Sequence, residues 1–218
     1  LSNWVANSAP SSVMLERIAG VARERDLPAF QRTTLRKWAE NRETVPPADP
    51  DRKVVLYPDV YTNYVLVERG KAAIRALEAL GVEVLLADAP GSGRAPLSQG
   101  MIDTARAKAR GVAEALDPYL VDGYDVVVIE PSDLAMFRED YERLLSEEEA
   151  DRIAEQSYEI LEYIYGLVAN GADVDRLDTA TSAESVAYHS HCQQRTMGIE
   201  PYSIEILEKC GYEVTTSD

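Results

Sequence analysis

The residues best suited to chemistry lie together near the end of the sequence. Both histidines of the chain, His189 and His191, fall within four consecutive positions together with Cys192, one of its two cysteines. Imidazole and thiolate groups are good ligands for zinc, copper and iron. His189, His191 and Cys192 therefore form a candidate site for a single metal ion. The alternative to a metal site is that these residues form the polar end of a strand, with Cys192 as a buried thiol. The second cysteine, Cys210, is expected to be a small core residue.

Three other segments follow apolar runs and carry polar residues: 58–63, 90–94 and 130–133. Segment 90–94 contains small residues and an arginine before a helix, which can hold a phosphate. Its spacing matches neither nucleotide-binding fingerprint, however, and a tight turn explains it equally well. Glu130 and Asp133 could act as an acid–base pair, or Ser132 and Asp133 could cap the following helix.

The elements that must position these residues follow an α/β pattern. Short apolar runs at 54–57, 82–86 and 125–130 alternate with helical patterns of 12 or more residues, which predicts a mainly parallel sheet. Ligands bind at the carboxyl ends of such strands. We therefore expect the segments at 58–63, 90–94 and 130–133 to converge in space with the histidine–cysteine segment that begins at His189.

An internal repeat divides this α/β region into two related parts. Residues 74–88 recur at 204–218 with seven identities in fifteen positions, and each copy reads as helix, glycine and strand. The same offset of 130 places residues 55–58 on 185–188. We therefore predict two pseudo-symmetric βαβ halves, with Gly81 and Gly211 ending equivalent helices.

The domain organisation follows from these patterns. Residues 1–50 are predicted to be a helical arm, with Ser12 capping its first helix, followed by a proline-rich linker. Residues 51–218 form the α/β domain, with a first half at 51–145, a connecting helix at 146–171 and a second half at 182–218. The second copy of the repeat stops at Asp218, one loop earlier than the first copy. We expect the sequence to be an internal piece of a longer protein.

Composition excludes several classes of partner. Thirty-eight acidic residues oppose 22 basic ones, giving a net charge of −16 and a pI of about 4.6. Such a field repels nucleic acid and anionic membrane surfaces, and no apolar run approaches a membrane span. Only five of the basic residues are lysine, which favours a protein adapted to high salt over an ordinary acidic one. A cytoplasmic location, free or bound peripherally to a membrane, fits these features.

Four motifs together resemble the cysteine-rich, or CCG, domain: LYPDVYTNY at 56–64, GRAPLSQG at 93–100, EPSDL at 130–134 and HCQQ at 191–194. This domain occurs in one subunit of heterodisulfide reductase, in one subunit of anaerobic glycerol-3-phosphate dehydrogenase, and at the C-terminal end of FAD-linked oxidases that act on D-lactate, glycolate or 2-hydroxyglutarate. The likeness is greatest to the FAD-linked oxidases, where the arm also matches. It covers nearly the whole chain.

The resemblance implies an electron-transfer domain of an FAD-linked 2-hydroxyacid oxidoreductase. Its partners would be the flavin and ferredoxin domains of the same protein or complex, and the flavin chemistry would lie outside this chain. The family binds a [4Fe–4S] cluster through cysteines, and the matching positions here are Ser92, Asp133 and Cys192. Only Cys192 keeps the thiol, so we expect neither the cluster nor FAD to bind to this chain alone. The alternative function is a non-catalytic scaffold or subunit-interaction domain of the same complex.

Overall fold

The predicted apolar runs form a four-stranded parallel sheet in the computed structural model, which describes residues 9–22, 24–25, 27–49, 51–177 and 184–217. The spatial order of the strands is β2-β1-β3-β4. Their bounds are β1 Lys53–Tyr57, β2 Glu83–Leu86, β3 Asp125–Val128 and β4 Ser157–Glu159. The predicted α/β fold with mainly parallel strands is confirmed.

Helices cover both faces of this sheet. Their bounds are α1 Ala9–Ala19, α2 Leu35–Ala39, α3 Val60–Tyr64, α4 Val67–Ala79, α5 Arg94–Ser98, α6 Ile102–Val121, α7 Pro131–Arg138, α8 Glu147–Glu155, α9 Ile160–Ala169, α10 Cys192–Thr196 and α11 Glu200–Lys209. Two 3-10 turns lie at Asp140–Arg143 and Val174–Arg176. No described helix is long and apolar enough to cross a membrane.

The core has two layers because successive side chains of a strand point to opposite faces. Val55 and Tyr57 of β1 pack with α6, α7 and α8. Val54 and Leu56 pack on the other face with α4, α9 and α11. Strands buried on both sides explain why β1 and β3 read as continuous apolar runs.

The second half contains a separate sheet of two parallel strands, β5 Ser185–Tyr188 and β6 Glu213–Thr216.

The helices of the two repeat copies, α4 and α11, end with the same backbone conformation and the same hydrogen bonds. Gly81 and Gly211 both have positive φ, 82° and 92°. Each donates to the carbonyl three residues before it, and the next residue donates to the carbonyl five residues before itself. This is the Schellman pattern of a glycine-terminated helix, so the repeat describes a real structural correspondence.

The pairing of the preceding strands corrects the predicted alignment. Lys53 lies opposite Glu83, and Ser185 lies opposite Glu213. Residues 53–56, not 55–58, are therefore the counterparts of 185–188. The shift is two residues, so the same side chains stay on the same faces.

Two further predictions about the elements are wrong. The helix predicted at 146–171 is divided into α8 and α9 by β4, which pairs with β3 and extends the first half of the domain. Helix α1 spans Ala9–Ala19, so the position of Ser12 is inside this helix and not at its start. The proposed start of the second half at residue 182 and the repeated Asp218 lie outside the described residues.

Candidate functional site

The candidate segments meet at the carboxyl edge of the four-stranded sheet. Strands β1 and β3 are neighbours, but the helices that follow them pack on opposite faces of the sheet. Such a switch in topology opens a crevice between two strand ends. A cleft of about 580 Å³ lies here, lined by residues from the loops after β1, β2 and β3. The predicted convergence of the segments at 58–63, 90–94 and 130–133 is thus observed.

Two tyrosines hold the loop after β2 in place. The Tyr57 hydroxyl donates to the Pro90 carbonyl at 2.8 Å, and the Tyr141 hydroxyl donates to the Ser92 carbonyl at 2.9 Å. Burial raises the pKa of both phenols well above the ordinary range, so both stay neutral donors. The Ser92 hydroxyl is thereby positioned to donate a hydrogen bond to the Asp133 carboxylate.

Asp133 is the most perturbed carboxyl group of this cleft. Desolvation raises its pKa to about 6, while the hydrogen bond from Ser92 opposes that rise. The nearby carboxylates Asp59 and Glu130 raise it further, and Arg94 lowers it. Arg94 itself is paired with Asp140 at 2.7 Å. An acid of this kind could exchange a proton near neutral pH.

Glu130 joins the first half of the domain to the histidine segment. It caps α7, where its carboxylate accepts hydrogen bonds from the Ser132 amide and hydroxyl at 3.3 and 2.7 Å. Glu130, not Ser132 or Asp133, is thus the residue that caps this helix. Nε2 of His191 lies 3.8 Å from Oε1 of Glu130. Since His191 Nδ1 accepts from the Gln193 amide at 3.1 Å, a neutral ring carries its proton on Nε2, facing Glu130.

The three residues of the candidate metal site have different surroundings. Cys192 is exposed, with its sulfur 4.0 Å from His191 Nδ1. His189 instead makes a 2.7 Å hydrogen bond with the Ser217 hydroxyl. Among the described residues, no group of three or more His, Cys, Asp and Glu side chains is arranged to hold a metal ion. The mononuclear metal site stays a prediction without a formed ligand set. Cys210 is buried in the core, as predicted.

The residues at the positions that the CCG resemblance implies for a cluster do not suit a [4Fe–4S] cluster. Ser92 and Asp133 offer hard oxygen atoms, which bind iron–sulfur clusters poorly compared with thiolates. They are also hydrogen-bonded to each other. Cys192 alone supplies a thiol at this edge, so the side chains described here cannot ligate a cluster by themselves.

The structure also shows features that the sequence did not indicate. Asp59, 3% exposed, has one carboxylate oxygen that is buried without a partner. Glu159 ends β4, and its burial raises its pKa to about 7. The sequence analysis missed Glu159 because β4 lies within the predicted helix at 146–171, so no strand end was expected there. The structure does not support a phosphate site at 90–94, because α5 has only five residues and Arg94 is already paired with Asp140.

No protein-family model matches the chain, and no solved structure is significantly similar to it. The link to the CCG domain therefore depends on the four sequence motifs.

Proposed function

We propose that the chain is a CCG-type domain of a cytoplasmic FAD-linked oxidoreductase that acts on a 2-hydroxyacid, and that it has lost its own cluster. In this proposal the domain keeps the shape of an electron-transfer module. It acts as a scaffold that holds the flavin and ferredoxin domains of the complex together.

One observation carries the proposal. Positions 92, 133 and 192 are far apart in sequence, and they lie along one edge of the fold. Ser92 bonds to Asp133, and Asp133 lies in the first turn of the helix that Glu130 caps. Glu130 in turn faces His191, the neighbour of Cys192. A former cluster site would leave its ligand positions grouped in this way.

The chemistry of the group supports a scaffold over an electron carrier. Ser92 and Asp133 form a hydrogen bond with each other where the family would have two thiolates. Electron transfer through this site would need thiolates that these positions lack.

Restoring the missing thiols tests the proposal directly. The double variant Ser92→Cys/Asp133→Cys adds two cysteines at the family positions beside Cys192. A matched control, Ser98→Cys/Asp103→Cys, adds two cysteines at exposed positions with the same original residue types. Each protein is incubated anaerobically with iron and sulfide, and bound iron, acid-labile sulfide and the visible spectrum are measured.

We expect iron and sulfide in the Ser92→Cys/Asp133→Cys variant at several times the amount in the control, and essentially none in the unmodified chain. A cluster in the unmodified chain would show that the domain still binds a redox centre, and it would refute the proposed loss of the cluster. Equal uptake by the two double variants would show that the edge is not a former cluster site.

A further inference from the structure

We propose that the chain has a binding site for a small methylated ammonium compound. This site is an aromatic cleft beside β4 and the amino ends of β1 and β3. This cleft has a volume of about 460 Å³. It shares no lining residue with the cleft at the carboxyl edge.

Four of the chain's twelve tyrosines line this cleft. They form two ring pairs: Tyr158 and Tyr163 with centroids 5.6 Å apart, and Tyr165 and Tyr202 with centroids 4.8 Å apart. All four are only partly buried. The faces of aromatic rings carry partial negative charge, and several such rings around one space form the usual cage for a quaternary ammonium group.

Fixed charges make the cleft more attractive to a cation. Asp125 lines it together with Tyr163. Asp51 and Glu162 add two more carboxylates, of which Glu162 is paired with Arg138 at 2.9 Å, and Arg52 is the single basic residue among the described lining residues. Desolvation raises the pKa of the Tyr163 phenol, Asp125 raises it further, and Arg52 lowers it. Three carboxylates and one guanidinium thus line the cleft, and Arg138 lies over the Tyr158 ring, 5.7 Å from its centroid.

The position of Gly166 is consistent with a ligand that approaches the backbone of α9. It lies in the interior of this helix and lines the cleft. Glycine is, after proline, the least favourable residue inside a helix. An added Cβ at Gly166 would meet no atom within 4 Å, so no neighbour in the described structure requires glycine there. The space beside Gly166 is therefore open to a ligand.

The chemistry of the walls favours a methylated cation over a primary ammonium group. A primary ammonium group must find hydrogen-bond acceptors for all three of its N–H donors, which tyrosine ring faces do not provide. A methylated ammonium group needs few or none, and it contacts ring faces directly.

Choline and its neutral carbon analogue, 3,3-dimethylbutan-1-ol, provide a matched pair of probes. Binding to the full chain is followed by calorimetry and by NMR shifts of the tyrosine rings. We expect saturable choline binding that is about tenfold tighter than binding of the alcohol.

Asp125→Asn should weaken choline binding about tenfold and leave binding of the alcohol unchanged. Gly166→Leu should block both compounds by filling the cleft. The control Ala169→Leu changes an exposed residue of the same helix that does not line the cleft, and it should bind both compounds normally.

Three results would overturn the proposal: no saturable choline binding, equal affinity for choline and the alcohol, or unchanged choline affinity in Asp125→Asn. Circular dichroism verifies the fold of each variant. If Gly166→Leu does not fold, Asp125→Asn and the two probes still decide the question. None of these outcomes depends on the proposed scaffold function.

Discussion

Replacing Asp133 by asparagine should stabilise the protein at neutral pH. The folded chain raises the pKa of this carboxyl from 3.8 to about 6, chiefly by desolvation. The folded protein therefore holds the proton more strongly than the unfolded chain does. The contribution of Asp133 to the free energy of unfolding is therefore fully present below about pH 4, and it is lost as the pH rises through about 6.

The size of the effect follows from the pKa change. One pKa unit corresponds to about 1.4 kcal/mol, so the full change would cost about 3 kcal/mol at pH 7. Asp133 keeps some contact with solvent, which reduces the effect to about 1–3 kcal/mol. Asparagine has nearly the same shape, carries no charge and can still pair with the Ser92 hydroxyl.

Urea unfolding of both proteins between about pH 4 and pH 7.5 measures this difference. We expect Asp133→Asn to match the unmodified chain at the acid end and to exceed it by about 1–3 kcal/mol at the neutral end. The control Asp103→Asn changes an exposed carboxylate and should show no such gain with pH. A difference that stays constant over the whole pH range, or a less stable Asp133→Asn at neutral pH, would refute the reasoning.

Three further predictions concern the glycine caps, the surface charge and the thiols. Gly211→Ala should cost about 1 kcal/mol because its φ is positive, and Gly81→Ala should cost more, since its new Cβ would lie 2.6 Å from that of Ala48; equal losses in thermal melts would contradict this. At a net charge of −16, the denaturation midpoint should rise between roughly 0.1 M and roughly 1 M KCl, and a flat midpoint would count against adaptation to salt. A thiol reagent should modify Cys192 quickly in the native protein and Cys210 only after unfolding; rapid modification of two thiols would show that the core is open.

The local elements were largely predictable because short-range physics determines them. The apolar runs of β1 and β3 are typical of strands buried on both faces, and they form the centre of the sheet. Gly81 and Gly211 ended their helices as predicted, since a left-handed residue after a helix favours glycine whatever surrounds it. Strand β4 was missed because its three residues lie within a helical pattern, and only pairing with β3 makes them a strand.

The sites were predictable as a region but not as a set of contacts. That polar residues after β1, β2 and β3 meet at one edge follows from parallel strands alone. That Ser92 bonds to Asp133, 41 residues away, and that His191 faces Glu130 while His189 turns to Ser217, depends on strand order and on how the two halves pack.

The aromatic cleft shows the same limit most clearly. Its tyrosines come from β4, α9 and α11, and nothing in their spacing predicts that they line one space. The sequence by itself determined the central strands β1 and β3, the two glycine-terminated helix ends and the acidic composition, because each depends on neighbouring residues or on composition. Only the tertiary structure decided which side chains meet, because contacts between distant residues depend on the packing of whole elements.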